Sequence, residues 1–147
     1  MKNIFLKENY EEILNRLNKL SADSKPLWGK MDIAQMLHHL NLTMEAPLGK
    51  TSFPSEANII ARLFFKSILY NDKSMGQGLR TAKSFIIKDK FNFDEEKRKA
   101  LENLYDVFKK NANGSYNPHI VFGELTTEQW GKHFYKHTDH HLKQFNN

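Results

Sequence analysis

Two histidines four residues apart, His137 and His141, stand in a C-terminal stretch whose other landmarks are aromatic. Trp130, Phe134, His137, His141 and Phe145 follow one another at steps of four, three, four and four. At about 100° per residue these five fall on one stripe of a helix, the stripe that should be buried. Imidazoles at i and i+4 on one face lie within reach of a single ion. A third nitrogen must come from another element, and the adjacent pair His38 and His39 offers one. Three protein nitrogens plus a water is the pattern of a catalytic metal site rather than a structural one. The competing reading is a set of core histidines hydrogen-bonded to their neighbours. A single histidine would favour that reading; an i, i+4 pair facing a second histidine pair on another amphipathic helix favours metal.

The elements that must position these rings are helices. Thr126 with Gln129 three residues on has the spacing of a capping box and opens the last helix. A second capping box, Asp32 with Gln35, opens a helix predicted over 32–45, which Pro47 and Gly49 should stop. Its apolar face holds Ile33, Met36, Leu37, Leu40 and Met44. Counting Met36 swings the centre of that face toward His39, which makes His39 the more inward of the two histidines. An earlier amphipathic helix is predicted over 9–20, carrying Ile13, Leu14, Leu17 and Leu20, with Asn9 and Glu12 in capping-box spacing. The Leu27-Trp28-Gly29 corner should cover a core edge. Another helix should start at Asp94, with Glu95 and Glu96 favourable in its first turn. Leu101, Leu104, Tyr105 and Phe108 would form its inner face, and Asn113-Gly114 would close it. Between these, 55–70 reads as a strongly apolar helix, 71–84 as irregular, and Phe85-Ile86-Ile87 as a short strand or extended crossing. So long a connection suits a helical bundle whose neighbours are not joined by tight turns.

The remaining histidines are placed less centrally. His133 extends the ladder by one turn near the edge of the stripe, which predicts a solvent-facing or supporting position. His140 lies farther off and reads as a surface residue. His119, in the loop before the last helix, fits the mouth of a site or the surface. His119, His133 and Glu45 are the candidate acid–base or supporting helpers. Cysteine is absent, so disulfides, thiolate ligands and a cysteine nucleophile are excluded. Any ion would be held by nitrogen and oxygen. Imidazole ligation suits a divalent metal, Zn or Ni first, with Fe, Cu or Mn also compatible.

The chain has 147 residues, which suits one domain over 1–147. No apolar run reaches the roughly 18 residues of a membrane span, and the N-terminus has no signal-peptide pattern, so a cytoplasmic protein without a membrane role is expected. The net charge of +5 is spread among interspersed acids and bases. That pattern is a solvated surface and argues against nucleic acid as a partner.

Three stretches together resemble the DinB/YfiT-like superfamily, in its uncharacterised "domain of unknown function 1569" branch: Pro26-Leu27-Trp28-Gly29-Lys30-Met31, then Gln35-Met36-Leu37-His38-His39, and Phe122 through Gly131 with His137 to Phe145. The resemblance implies an all-α four-helix bundle with a long crossover, here with an extra helical segment. It implies a divalent metal on His39, His137 and His141. Some members of that superfamily are transferases acting with a low-molecular-weight thiol or isomerases using glutathione-like cofactors, and they often form a homodimer; a three-histidine metal site suits a metal-dependent transferase or hydrolase. The alternative is a non-catalytic stress-response or binding module in which the histidine cluster is structural or vestigial.

Overall fold

A computed structural model describes residues 1–79 and 81–147. Among them the regular structure is helical, with one isolated bridge between His119 and Gly123 and no strand. Four long helices dominate: α1 (Lys7–Lys19), α2 (Ile33–Leu48), α3 (Phe93–Lys110) and α4 (Thr127–Gln144). Helix α2 packs against α3 and α4, and α1 packs against the same two. The core lies between them. Ile13 and Leu17 of α1, Leu37 and Leu40 of α2, Leu104 and Val107 of α3, and Trp130 and Leu142 of α4 are all buried there. Each such aliphatic side chain contributes about 1.5–3 kcal/mol by leaving water.

Two of the three expected capping boxes form. The Asp32 carboxylate accepts from the Gln35 N–H at 2.8 Å, and the Gln35 side chain accepts from the Asp32 N–H at 3.0 Å. Thr126 and Gln129 do the same at the start of α4. Helix α2 runs past the expected end to Leu48, with Pro47 inside its last turn and Gly49 as a left-handed cap at φ 78°. Asn117 explains this: its backbone N–H donates to the Pro47 carbonyl and its side-chain amide to the Ala46 carbonyl, satisfying the end of the helix from outside.

Other expectations need correction. Helix α1 starts at Lys7 with Leu6 as an unassisted cap. Asn9 is not its cap; it is buried and donates to the Asn3 carbonyl at 2.9 Å. Helix α3 is capped by Asn92, whose side chain accepts from the Glu95 N–H. Its inner face is Ala100, Asn103, Leu104 and Val107, whereas Tyr105 is exposed. Glu96 is not a surface charge of the first turn. It is buried against α2, where Asn41 donates to it at 2.8 Å.

The largest difference concerns 55–70. Regular helix is replaced there by a π turn at Ala61–Phe65 and a 3-10 turn at Lys66–Leu69. Ile59, Ile60, Leu63, Phe64 and Phe65 face outward, and Leu63 is 73% exposed. Arg62 packs back against Gly123, and Lys66 donates to the Glu124 carbonyl. The cations therefore anchor the segment and the apolar side chains are left outside. Phe85 lies in a 3-10 turn, Lys83–Phe85, rather than a strand. The Glu56 carboxylate fixes that turn by accepting from the Lys83 and Ser84 N–H groups and the Ser84 hydroxyl.

Candidate metal centre

Helices α2 and α4 bring three imidazoles together. One ring nitrogen from each of His39, His137 and His141 lies within 4.8 Å of the other two. The ring centroids are 4.7 to 5.1 Å apart, 4.7 Å for His137 and His141 and 5.1 Å for His39 and His137. His39 and His141 are buried; His137 keeps an accessible edge.

The other nitrogen of each ring is committed elsewhere. His39 Nδ1 is 3.3 Å from the Phe85 carbonyl oxygen, which can only accept, so His39 donates there. His141 Nδ1 is 2.8 Å from Gln144 Oε1, and the Gln144 Nε2 donates to the Trp28 carbonyl at 2.8 Å. The oxygen end of that amide therefore accepts from His141. His137 Nδ1 lies 3.4 Å from Thr43 Oγ1, whose own proton goes to the Leu40 carbonyl at 2.9 Å. Again the ring donates. All three protons are thus on Nδ1 and all three Nε2 atoms carry lone pairs. His39 Nε2 and His137 Nε2 are 3.2 Å apart, a meeting of two acceptors and no hydrogen bond.

The rings are neutral. Burial pushes His39 down to about 4, against the favourable Phe85 carbonyl. Burial, with His39 nearby, pushes His141 down to about 3. Burial, then His141 and His39, holds His137 well below the usual range. Neutral imidazoles with inward lone pairs and outward N–H partners are what a metal requires of its histidines. Two nitrogens bound tetrahedrally at about 2.0–2.1 Å would stand about 3.3 Å apart, and the His39–His137 separation of 3.2 Å agrees. The residues fit a divalent ion.

The centre opens on a cavity of about 340 Å³ lined by His39, Thr43, His137 and His141, with His119, His133 and His140 also on its walls. A second cleft of about 370 Å³ lies beyond His140 and contains none of the three converging rings.

A family model described as "Protein of unknown function (DUF1569)" matches residues 5–147. The chain belongs to that family. No curated protein and no solved structure matches it. The DUF1569 match takes in both histidine-bearing helices, so the three-imidazole group lies within the matched region.

His38 turns away from the centre: its Nδ1 is 3.1 Å from the Glu96 carboxylate and its ring stacks on Phe91. His133 is buried rather than solvent-facing, because the 119–122 loop and Trp130 cover it. His140 is half-buried, tilted against Trp28. His119 lines the cavity, with burial pushing it down to about 4. Glu45 is not on the cavity wall and accepts from the Asn103 side chain at 3.0 Å. Sequence reasoning missed Thr43, Phe85 and Gln144. Thr43 and Gln144 stand four and three residues after His39 and His141, a spacing that could have found them. A backbone carbonyl such as that of Phe85 leaves no such signal.

Proposed function

We propose that this protein binds one divalent metal on His39, His137 and His141 and belongs to the DinB-like type, its four helices forming that superfamily's bundle with 49–92 as the long crossover. The observation that carries the reading is that one ring nitrogen of each histidine lies within 4.8 Å of the other two while each Nδ1 has a hydrogen-bond partner elsewhere. An ion bound there would lower the pKa of a water or a small thiol and make it a nucleophile at neutral pH. This suits a thiol-dependent transferase or a hydrolase. The chain's own part is to hold the rings. Phe85, Thr43 and Gln144 fix their orientation, and Leu69, Phe85 and Phe122 make the neighbouring cavity wall largely apolar.

One observation favours a non-catalytic role instead. Among the described residues the cavity wall carries no carboxylate, so any general base would have to be a histidine. Elemental analysis of untagged protein beside a His137→Ala, His141→Ala variant tests the metal reading directly. About one equivalent of metal per chain, lost in the variant, is expected. Less than about a tenth of an equivalent after growth in metal-replete medium would sink it.

The reading extends to a homodimer. Ile59, Ile60, Leu63, Phe64 and Phe65 form an exposed apolar row, which at roughly 100–150 Å² each approaches the ~800 Å² per partner of a standard interface. A second copy is the occupant we propose for an apolar face of this size, with Arg62 as the one cation inside the stretch.

A further inference from the structure

Two buried polar atoms on α4 have no hydrogen-bond partner: Trp130 Nε1 and His133 Nδ1. They are three residues apart, with ring centroids separated by 5.7 Å. Both side chains line a small cavity of about 10 Å³, walled also by Thr43 and His119 and by apolar groups such as Ala46, Pro47 and Ile120. That is about the space one water needs. The indole N–H can only donate. A water accepting from it has protons of its own to place; Thr43 Oγ1 is engaged with Leu40 and His137 and His119 Nδ1 with two backbone N–H groups, which leaves His133 Nδ1 as the unpartnered acceptor among the described side chains on that wall. Accepting there puts the His133 proton on Nε2.

His119 is fixed the same way. Its Nδ1 accepts from the backbone N–H groups of Val121 and Phe122, both at 3.2 Å, so its proton is also on Nε2. The two rings are 5.4 Å apart and nearly perpendicular. Both also line the larger cavity, and His133 stacks on His137 at 5.5 Å. The remaining charged group among the described residues on that wall is a cation, Lys30. Two N–H donors, a lysine at the rim and no carboxylate select for an anionic oxygen.

We propose that His119 and His133 form a subsite for an anionic oxygen beside the three-imidazole centre, with a water on Trp130 setting the His133 tautomer. The ligand class is a small molecule with a carboxylate and an apolar body. The proposal rests on the metal-binding reading for its catalytic meaning, and the subsite itself can be read without metal.

The test is nitrogen-15 NMR of the histidine rings in the full chain, metal-free and after zinc addition, with benzoate as the probe. In metal-free protein both His119 and His133 should show the Nε2–H tautomer; His133 with its proton on Nδ1 overturns the water-set arrangement. Benzoate should shift both Nε2 resonances saturably in either form, and neutral benzamide should not. No saturable shift in either form overturns the subsite. A benzoate response in protein that takes up no zinc supports the subsite and removes the metal reading alone. His133→Phe keeps the ring volume and should weaken benzoate at least about tenfold with zinc stoichiometry retained; unchanged affinity overturns the assignment. Should that variant not fold, His119→Phe is expected to weaken benzoate similarly, and unchanged affinity there counts the same way.

Discussion

Gln144 Oε1 lies 2.8 Å from His141 Nδ1, and the other end of the same amide is tied to the Trp28 carbonyl. The Trp28 corner and the last turn of α4 are thereby joined through the group that orients a candidate ligand. The Leu27 N–H adds a bond of 2.7 Å to the Gln144 carbonyl. Gln144→Leu should leave the helix folded and free the His141 ring to turn. We expect metal affinity to fall about 10–100-fold, read by competition with a chromophoric chelator. Wild-type affinity in a folded variant would mean that the amide does not position His141.

Gly29 gives the same prediction from the opposite side. Its φ is +84°, and a Cβ there would stand 2.5 Å from Gln144 Nε2. The left-handed backbone alone disfavours a side chain by about 1–2 kcal/mol. Gly29→Ala should therefore lower the melting temperature and, by displacing Gln144, weaken metal binding. Lys25→Ala, at an exposed position in the same loop, should do neither. Equal metal affinity in both variants would uncouple the corner from the site.

The two kinds of contact explain what could be read without coordinates. The stripe of α4 and the inward side of α2 follow from helical period, because an apolar face must be buried wherever the helix packs. His39, His137 and His141 inherit their convergence from that rule. Glu96 obeys no such rule. An acidic residue in a first turn is ordinarily a surface charge favoured by the helix dipole, and its burial becomes tolerable through Asn41 and His38 arriving from α2, with Lys99 on its own helix. The 55–70 stretch failed for the complementary reason. Its apolar density suggested burial, yet Arg62 and Lys66 anchor it to 123–124 and turn that density outward. Which side faces in was decided by contacts distant in sequence.

The neutral histidines make a pH prediction. An unfolded histidine titrates near 6.5, whereas burial holds folded His39 at about 4 and His141 at about 3. Below about 6.5 the unfolded chain therefore binds protons that the folded chain refuses, and stability falls as pH falls. Above the unfolded value both states are neutral and the contribution is constant. The slope is about 1.4 kcal/mol per pH unit for each such ring. Calorimetry of metal-free protein should show a melting temperature that is level from pH 8 to 7 and drops steeply from about 6.5 toward 4.5. Protons compete for the same Nε2 atoms only as the folded rings themselves titrate, near 4 and below, so metal should stay bound through the range from about 6.5 to 4.5 for as long as the protein remains folded. A melting temperature unchanged to pH 4.5 would mean that the folded rings take up protons as readily as the unfolded ones.

The last prediction concerns the clamp that holds α2, and with it His39, against α3. Asn41 is 1% exposed; its amide donates to Glu96 Oε2 at 2.8 Å and to the Glu96 carbonyl at 3.0 Å, while its oxygen accepts from Asn103. Burial pushes the Glu96 carboxyl up, but Asn41, His38 and Lys99 together outweigh it and hold it below the usual carboxylate range. Asn41→Leu keeps the branched shape of the side chain and removes both N–H donors. The buried carboxylate then loses its main neutral partner, and the cost should be about 2–3 kcal/mol. Urea unfolding of the variant should show this as a lower midpoint at unchanged slope. Adding Glu96→Leu removes the stranded charge and should recover much of the loss. Additive losses in the double variant, with no recovery, would show that the two side chains are not coupled across the helix pair.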